Sequence, residues 1–576
     1  MTTLYNKPAE FSEDQLEGFL DLYSDRLVGV PGGVVTLPGQ QAQVAVVVGG
    51  GSGHYPAFAG LVGPGFASGA VVGNIFTSPS AAHVYSVAKA ANQGKGVILT
   101  FGNYAGDTMN FGIAAKMLRS EGIDTRIVVV TDDIASAQEQ QNRRGIAGDF
   151  AVFKVMGAAA AAGRSLDEVE RLGRLANERT RTLGVAFSGC TLPGSDQPLF
   201  TVAADQMGVG LGIHGEPGIR DQARGSAEEL AELLVSSVLA EAPQEAGQRI
   251  GLILNGLGVS KYEELFVLYR SVAPRLRQAG YQIIDPEVGE LVTSLDMGGV
   301  SLTLIWLDEQ LEQAWRADAY ACAYRKSASA LTGLQASLAK QEETVAENRQ
   351  AEASPAAREL AARVRQGIGA VAELMQQEEN YLGRIDAVAG DGDHGRGMVR
   401  GSQAALEASQ AAPGQAGPAY LLKEAGRAWA MQAGGTSGVL WGAGLEAAAL
   451  SLDDRASSFS PEQLLAAVKA FTESMQTLGG AELGDKTLLD ALLPFSRQLE
   501  KSLKEEGLSL EQSWEAAAQL ARVKAQETAA LKPQKGRARP LAEKSLGHPD
   551  PGAVSLAMIL SQLQEYLAKP EKNEQQ

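Results

Sequence analysis

With 576 residues, the chain is too long for one hydrophobic core and is expected to form about two to four domains. Its formal net charge of −18 argues against nucleic acid or an anionic membrane as a partner, although it permits a phosphate ligand that arrives with a metal ion. Two cysteines cannot build a disulfide framework, and no apolar run reaches the roughly 18 residues of a membrane helix. The N-terminus is polar, so we expect a cytoplasmic protein without a membrane segment.

Strand and helix patterns alternate from about residue 12 to residue 330. Three short runs rich in β-branched residues are typical of buried parallel strands, at 43–48, 96–100 and 125–131. Helical stretches such as 80–93 and 110–121 separate them. A second set of strand patterns follows among further helices, at 250–255, 282–284 and 300–307. The pattern predicts one α/β domain over 1–330, built from two α/β subdomains that cover 1–185 and 186–330.

The composition changes beyond residue 330. A polar stretch rich in Ala, Glu, Gln and Lys predicts a linker over 331–353. Ser354 and Pro355 then supply an N-cap and a first-turn proline, and capping boxes begin at Ser460 and Ser509. Apolar residues recur at helical spacing, which predicts about eight helices and no strand. We therefore expect an all-α domain over 354–568 and a frayed tail over 569–576.

Three loops in the α/β half carry side chains suited to catalysis. His54 follows a glycine run that succeeds the first strand pattern, where a small molecule can approach backbone N–H groups, although an ordinary tight turn is the alternative. Asp107 lies in the second loop, where it could instead cap the next helix. His214 lies between glycines and before a Glu-Pro-Gly turn, which predicts exposure. Imidazoles can act as bases or as nucleophiles toward a carbonyl, and an aspartate can accept a hydroxyl proton.

The helical half opens with three carboxylates within eight residues, Asp386, Asp391 and Asp393. Like charges this close repel one another unless a cation neutralises them, and carboxylate oxygens suit magnesium or calcium. The EF-hand template fails because Gly395 stands where it needs Asp or Asn, and Ser402 where it needs Glu. The spacing therefore favours magnesium completed by phosphate oxygens and water, with a solvated acidic turn as the alternative.

Several glycine loops in the same half favour a phosphate ligand. Residues 434–438 open a predicted helix, whose N-terminal N–H groups attract anions. Loops at 479–480 and 484–487 surround another helix start, and Arg537 and a rigid turn at 547–552 follow. Neither nucleotide fingerprint, G-x-G-x-x-G or Walker A, is present in the glycine run near His54. We interpret these loops together as one nucleotide pocket in a helical domain.

These motifs resemble those of the dihydroxyacetone kinases that fuse a ketose-binding domain to an ATP-binding helical barrel. GGGSGH, NYxGD and GIHGEPG are similar to the signatures of the ketose-binding domain. DxxxxGDGDHG, GGTSG, GDKT and GHxDPG are similar to those of the ATP-binding domain. The resemblance covers nearly the whole chain and implies an ATP-dependent kinase for a short-chain ketose. It also implies a homodimer in which the ATP-binding domain of one chain serves the ketose site of the other.

The resemblance implies roles for individual residues. His214 would form a covalent hemiaminal with the substrate ketone, Asp107 would take the proton of the attacking hydroxyl, and His54 would assist. The ketose pocket would be lined by Gly50, Gly51, Ser52 and Gly53. Asp386, Asp391 and Asp393 would hold two magnesium ions that bridge the phosphates of ATP. The nucleotide would lie against His394, Gly395, Arg396, Gly397, Thr436, Ser437, Gly479, Leu488, Arg537, Asp550, Pro551 and Gly552.

The sequence departs from the family pattern at three places. It reads GHYPAFAG where GHEPAHAG is usual, it has Gly102 where a lysine is common, and it has RPLA at 539–542 where Ser-Tyr-Leu-Gly is usual. The first two changes remove polar groups from the substrate side, which favours a different ketose. GHYPAF is similar to the erythrulose kinases of tetritol breakdown. We expect D-erythrulose phosphorylated at O4, followed by L-erythrulose at O1 and dihydroxyacetone.

Other functions remain as alternatives at this point. A ketose-sensing binding protein would not need the complete aspartate cluster. A helical domain that keeps its ADP and is rephosphorylated by a separate phosphotransferase protein is disfavoured by the fused architecture. An FMN-forming lyase side activity, as in some animal relatives, stays open.

Overall fold

The computed structural model describes residues 2–37, 41–216, 218–244, 246–327, 352–535 and 539–567. The chain divides into two compact units, Met1–Leu338 and Ala339–Gln576. Most of the expected linker and the whole of the expected tail lie outside the described residues. Among the residues described, no helix combines the length and the apolar character that crossing a bilayer requires.

The first sheet of the α/β unit carries the loops that contain His54 and Asp107. Its strands are β1 (Leu27–Val30), β2 (Gly33–Thr36), β3 (Ala45–Ser52), β4 (Gly69–Ile75), β5 (Val97–Gly102) and β6 (Thr125–Val130). Their order is β1-β2-β4-β3-β5-β6, and β3, β5 and β6 run parallel. The prediction of parallel strands is confirmed for these three. The predicted burial holds along the whole length of β3 and β5, whereas half of the β6 residues are only partly buried. Helices cover both faces of such a sheet, which explains the uninterrupted valines of β3.

The second sheet is mixed rather than parallel. Its strands are β7 (Thr180–Ala186), β8 (Gln206–Val209), β9 (Arg220–Ala223), β10 (Arg249–Gly256), β11 (Gln282–Gly289) and β12 (Gly299–Trp306), in the order β11-β10-β12-β7-β8-β9. Only β10 and β11 pair in parallel. β7 runs past the subdomain boundary that we expected at residue 185, because it pairs along its length with β12. The short strand β8 ends just before the loop that contains His214.

Eight α-helices of this unit are α1 (Phe11–Leu22), α2 (Ala81–Ala91), α3 (Ala105–Ser120), α4 (Gly148–Ala161), α5 (Leu166–Glu178), α6 (Ala227–Ala240), α7 (Tyr262–Gln278) and α8 (Glu309–Arg316). A two-stranded ribbon follows, β13 (Ala319–Tyr320) with β14 (Arg325–Lys326). α4 is buried on all sides because it packs against β3 of the first sheet and β7 of the second. The two sheets therefore share one hydrophobic core, and loops from both can meet at one site.

The described part of the second unit contains helices and no strand. Its helices are α9 (Pro355–Asp386), α10 (His394–Ala411), α11 (Pro418–Ala433), α12 (Gly435–Leu450), α13 (Pro461–Gly479), α14 (Leu489–Lys504), α15 (Leu510–Glu527), the four-residue α16 (Ala542–Ser545) and α17 (Pro551–Leu563). Ser354 caps α9, and both predicted capping boxes are present at Ser460 and Ser509. The all-α prediction is confirmed for this unit.

Lys154 is a fully buried lysine in the middle of α4, and its Nζ donates to the carbonyl of Ala314 at 2.9 Å. Burial lowers the pKa of Lys154 from 10.5 to about 7. Between these two pKa values the unfolded chain keeps a proton that the folded protein has released, so the stability contributed by this group rises with pH. We expect Lys154→Met to remove that slope, which is at most about 1.4 kcal/mol per pH unit.

The measurement is urea unfolding of wild type and variant from pH 7 to about pH 9.5. The free energy of unfolding of the wild type should rise relative to that of Lys154→Met across this window. Lys116→Met, at an exposed position of α3, is the control and should follow the wild type. Parallel curves for wild type and Lys154→Met would contradict the prediction.

Candidate active site

The structure brings His54 and His214 into direct contact, although 160 residues separate them in the chain. Their Nε2 atoms are 3.0 Å apart, and the ring planes meet edge to face. His54 follows β3 of the first sheet, and His214 follows β8 of the second. The contact therefore exists only because the two sheets pack on one core.

His54 is held from its other nitrogen and is 1% exposed. Its Nδ1 lies 2.7 Å from the carbonyl oxygen of Thr293, and its ring stacks on Phe76. The buried side chain of Asn255 fixes the 291–293 loop by accepting from the N–H groups of Leu291 and Val292. Burial and the neighbouring His214 lower the pKa of His54 to about 3, so protonation of this ring is disfavoured in the folded protein.

Glu216 holds His214 in the same way. Glu216 Oε1 accepts from His214 Nδ1 at 2.9 Å, and Oε2 accepts from the backbone N–H of His214 at 3.0 Å. Burial acts to raise the pKa of Glu216, but the hydrogen bonds and charge of His214 outweigh it and lower the pKa to about 2. Glu216 is thus a carboxylate under ordinary conditions. Sequence reasoning interpreted it only as part of a turn, although a carboxylate two residues from a candidate nucleophile was an available signal.

These contacts determine where the ring protons lie. A carbonyl and a carboxylate only accept hydrogen bonds, so the Nδ1 atoms of both histidines carry hydrogen. A short Nε2–Nε2 contact then needs one proton between the two rings, because two lone pairs would repel each other. One proton between the two Nε2 atoms would satisfy this contact, and the Glu216 carboxylate beside it would balance the charge. With that proton on His54, Nε2 of His214 would be unprotonated, which is the form in which an imidazole can act as a nucleophile.

Asp107 lies in the first turn of α3, and it is not the helix N-cap considered from the sequence. That position belongs to Tyr104, because α3 begins earlier than its apolar pattern suggested. Asp107 is 8% exposed, and its Oδ1 has no hydrogen-bond partner among the residues that the structure describes. Burial raises the pKa of Asp107, with a hydrogen bond from Ser78 and the charge of His214 acting in the opposite direction. The Tyr104 ring packs against His214, with the ring centroids 4.7 Å apart.

The glycine run before His54 makes room for protein groups. A Cβ at Gly50 would lie 2.5 Å from the Phe58 ring, and one at Gly51 would lie 2.6 Å from the backbone of Thr77. Gly53 has φ +99° and packs against Phe76. The Ser52 hydroxyl is hydrogen-bonded to that of Ser12 at 2.8 Å. The glycines thus allow the close packing that positions His54.

The helical unit contains a cavity of about 550 Å³ into which the acidic cluster opens. Carboxylate oxygens of Asp386, Asp391 and Asp393 lie within 4.8 Å of one another. Asp386 is the last residue of α9, and Asp393 is the N-cap of α10. All residues expected to contact a nucleotide line this cavity except Gly395 and Arg537. Gly395 is buried where a Cβ would meet the Glu379 carbonyl, and Arg537 lies outside the described residues.

The residues of this cavity fit a magnesium-bound nucleotide. Hard carboxylate oxygens on one wall are the ligands that magnesium prefers. On another wall, Gly434 and Gly435 have positive φ and open α12, and a Cβ at either glycine would meet no atom within 4 Å. Backbone N–H groups at such a helix start attract phosphate.

Lys486 and Asp490 organise the loop between α13 and α14. Lys486 Nζ donates to the carbonyl of Ser545 at 2.7 Å, and burial lowers its pKa. Asp490 accepts from the N–H groups of Gly484 and Thr487, at 2.5 Å and 2.8 Å. Sequence reasoning did not identify Asp490. Its position three residues after Thr487 is the local signal that could have found it.

The proton arrangement of the histidine pair can be tested directly. In Glu216→Gln, the amide can donate to Nδ1 of His214 and thereby allow the other tautomer. We expect ¹⁵N NMR of labelled histidines to show protonated Nδ1 atoms on His54 and His214 in the wild type, and loss of that pattern for His214 in the variant. Glu229→Gln is the control, because glutamine preserves the capping box of α6. An unchanged His214 signal in Glu216→Gln would contradict this assignment.

Both halves of the chain match known protein families. The Dak1 domain family matches residues 17–323, and the DAK2 domain family matches residues 388–565. The chain is 54% identical to the D-erythrulose kinase of Mycolicibacterium smegmatis, over 97% of each protein. It is 53% identical to the L-erythrulose kinase of Pectobacterium atrosepticum, over 97% of this chain and 95% of that protein.

A solved structure covers both units. The dihydroxyacetone kinase from C. freundii, in complex with AMP-PNP and Mg²⁺, is 29% identical with a TM-score of 0.57, over 98% of this chain and 99% of that one. The relatives and the two domain matches together span nearly the whole sequence. The chain therefore belongs to the dihydroxyacetone kinase family, among its erythrulose kinase-like members, and is an ATP-dependent kinase.

Proposed function

We propose that this kinase phosphorylates D-erythrulose on O4, with the ketose held as a hemiaminal on His214. Erythrulose kinase homologues at about half identity support a ketose as the substrate class. The observation that carries the finer proposal is the histidine pair. Nε2 of His214 is 3.0 Å from Nε2 of His54, while Glu216 holds the opposite nitrogen of the same ring. This arrangement can present a lone pair and supply a proton at one place.

The addition of the ketose uses that pair without any further reagent. With one proton on Nε2 of His54, the lone pair of His214 Nε2 turns from that proton to the ketose and forms a bond to its carbonyl carbon. The carbon–oxygen π bond breaks, and the oxygen takes the proton from His54 to become a hydroxyl. The positive charge stays on the His214 ring, beside the Glu216 carboxylate. An alcohol without a carbonyl group cannot undergo this step.

Asp107 then serves as the base for the terminal hydroxyl. Its Oδ1 has no hydrogen-bond partner among the described residues and can accept the hydroxyl proton, and burial raises the pKa of the carboxyl group. The His54–His214 contact lies close to it, since the His214 charge acts on the pKa of Asp107. The covalent attachment fixes the ketose so that its terminal hydroxyl meets one base, which replaces a bimolecular encounter by a positioned one.

Asp386, Asp391 and Asp393 would hold the magnesium ions that accompany ATP, and residues 434–437 and 550–552 would surround the phosphates. When bound, magnesium neutralises charge on the transferred phosphoryl group, which is the main catalytic need of phosphoryl transfer. The number of ions, two, rests on the family resemblance. The homodimer implied by that resemblance likewise stays a prediction.

A second candidate is an L-erythrulose kinase, because the two erythrulose kinases differ by only one percentage point in their identity to this chain. Overall identity at that level does not decide stereochemistry. Gly102 and the Tyr55 and Phe58 positions, where family members usually carry polar side chains, favour a four-carbon ketose over dihydroxyacetone. D-erythrulose remains our first choice on the similarity of the GHYPAF segment.

The substrate proposal predicts a clear order in an ADP-release assay with magnesium. The value of kcat/KM should be highest for D-erythrulose, lower for L-erythrulose and dihydroxyacetone, and negligible for glycerol, which has no carbonyl group. His214→Ala should lower kcat/KM by about 10³-fold, whereas His83→Ala, at an exposed position of α2, should not. Product NMR would locate the phosphate. Turnover of glycerol as fast as that of ketoses would refute the hemiaminal.

The metal proposal predicts that Asp391→Asn lowers kcat at saturating ATP by at least about 10²-fold, because one ligand charge is lost. Raising the magnesium concentration should recover part of the activity. Asp453→Asn, which changes an exposed carboxylate outside the cavity, is the control. Normal magnesium dependence and activity in Asp391→Asn would remove this residue from the metal site.

A further inference from the structure

We infer that Arg144 is a positioning residue that holds the nucleophile His214 in place relative to His54 and Asp107. The inference rests on the proposed function of His214 and adds a residue to it. Arg144 lies between β6 and α4, and its side chain is 16% exposed. Among the described residues, the Arg144 side chain makes no hydrogen bond to His54, His214 or Asp107. Its effect would pass through Glu216.

Arg144 is fixed firmly on the first-sheet side. Its Nη2 and Nε lie 2.8 Å and 3.0 Å from Oδ2 of Asp133, a carboxylate that is 1% exposed. The backbone of Arg144 is tied to the same segment, because its N–H donates to the Ser136 hydroxyl and its carbonyl accepts from the N–H of Asp133. Burial raises the pKa of Asp133 to about 6, and the charge of Arg144 acts against that rise. The guanidinium therefore has a nearly rigid base.

From that base, Arg144 reaches the His214 loop at two points. Nη2 donates to the carbonyl of Gly210 at 3.1 Å, and Nη1 lies 3.9 Å from Oε2 of Glu216, an ion-pair distance. Gly212 leaves room for the Glu216 carboxylate and the Arg144 guanidinium to approach each other. A Cβ at Gly212 would lie 2.0 Å from Glu216 Oε2 and 2.8 Å from Arg144 Nη1. The planar guanidinium can serve these separate acceptors at once, which an ammonium group cannot.

A chain of polar contacts leads from Asp133 through Arg144 and Glu216 to His214. Asp133 holds Arg144, Arg144 holds Gly210 and faces Glu216, and Glu216 holds Nδ1 of His214. His54 follows β3 of the first sheet and Asp107 lies in α3, which follows β5 of that sheet, whereas His214 lies in a loop after β8 of the second sheet. Arg144 is thus a polar link across the two sheets at the level of the site. A displacement of the nucleophile by about 1 Å is enough to lower a rate about 10²-fold.

The matched control is the preceding residue. Arg143 is also buried and ion-paired, with its Nη2 at 2.7 Å from Oε2 of Glu241 and hydrogen bonds to the carbonyls of Ala137 and Gln138. None of these partners is in the His214 loop. Arg143→Met should therefore lower the melting temperature while the kinetics stay close to those of the wild type.

The test is a double-mutant cycle between Arg144→Met and Glu216→Gln, measured as kcat/KM for the ketose with the highest turnover. We expect Arg144→Met to lose about 10²-fold in the wild-type background and only a few-fold in Glu216→Gln, because residues that act through one contact are not additive. Full additivity of the two losses would overturn the inference.

Loss of folding is separated from loss of positioning by a second variant. Arg144→Met leaves Asp133 buried without its partner, whereas Arg144→Met with Asp133→Asn does not. The double variant should regain most of the melting temperature and none of the activity. Recovery of both together would show a merely structural role and overturn the inference.

An NMR measurement that needs no catalytic turnover tests the role of Arg144 independently of the kinase proposal. The ¹⁵N signal of His214 Nδ1 should shift in Arg144→Met and in its Asp133→Asn derivative, but not in Arg143→Met. If the wild type phosphorylated no ketose, the proposed function would fail while this signal still reported on Arg144. An unchanged His214 signal in both Arg144 variants would overturn the positioning role.

Discussion

The contact between the imidazole rings of His54 and His214 is the interaction on which the candidate site of the α/β unit depends. Their Nε2 atoms lie 3.0 Å apart, a distance that one proton between them would make favourable. The Nδ1 atom of each ring makes a second hydrogen bond, to the Thr293 carbonyl for His54 and to Glu216 for His214. Since neither acceptor can donate a proton, the pair has no alternative tautomer that preserves all three contacts. The orientation of both rings therefore arises from these hydrogen bonds.

The supporting groups of that pair come from distant parts of the unit. Asn255 on β10 fixes the loop whose Thr293 carbonyl receives His54, and Glu216 lies within the turn that carries His214. α4, buried on every side, brings the two sheets onto a common core. Apolar packing thus provides the coarse alignment of the sheets. Directional polar contacts then determine the position of the two rings within it.

The acidic cluster of the helical unit depends on a different constraint. Asp386 is the last residue of α9, where the partial negative charge of the helix end already disfavours a carboxylate. Asp391 and Asp393 bring their oxygens within 4.8 Å of it. This charge distribution is unfavourable by itself and becomes favourable with a divalent cation. Three carboxylates that could hold a metal ion thus lie within a segment of eight residues.

Local sequence determined the features that depend on neighbouring residues. The capping boxes, the buried parallel strands of the first sheet and the three clustered aspartates follow from spacing and side-chain type, because the interacting groups lie within a few residues of one another. The strand β8 and the antiparallel pairing of the second sheet could not be derived in this way, since strand partners far apart in the chain decide them. The apolar pattern of α3 begins later than the helix itself, so the sequence did not show that Asp107 lies inside the helix and not at its N-cap.

Some features of the candidate site could likewise be found from local sequence, whereas others depend on the tertiary structure. His54, Asp107 and His214 could be selected from the sequence because each occupies a glycine-rich loop, which for His54 and Asp107 follows a strand pattern. Only the tertiary structure decided that the two histidines touch, that Glu216 sets the tautomer, and that Arg144 connects Asp133 to the His214 loop. The physical reason is distance along the chain. Proton positions and ion pairs depend on ångström separations between groups that only the packing of two sheets on one core brings together.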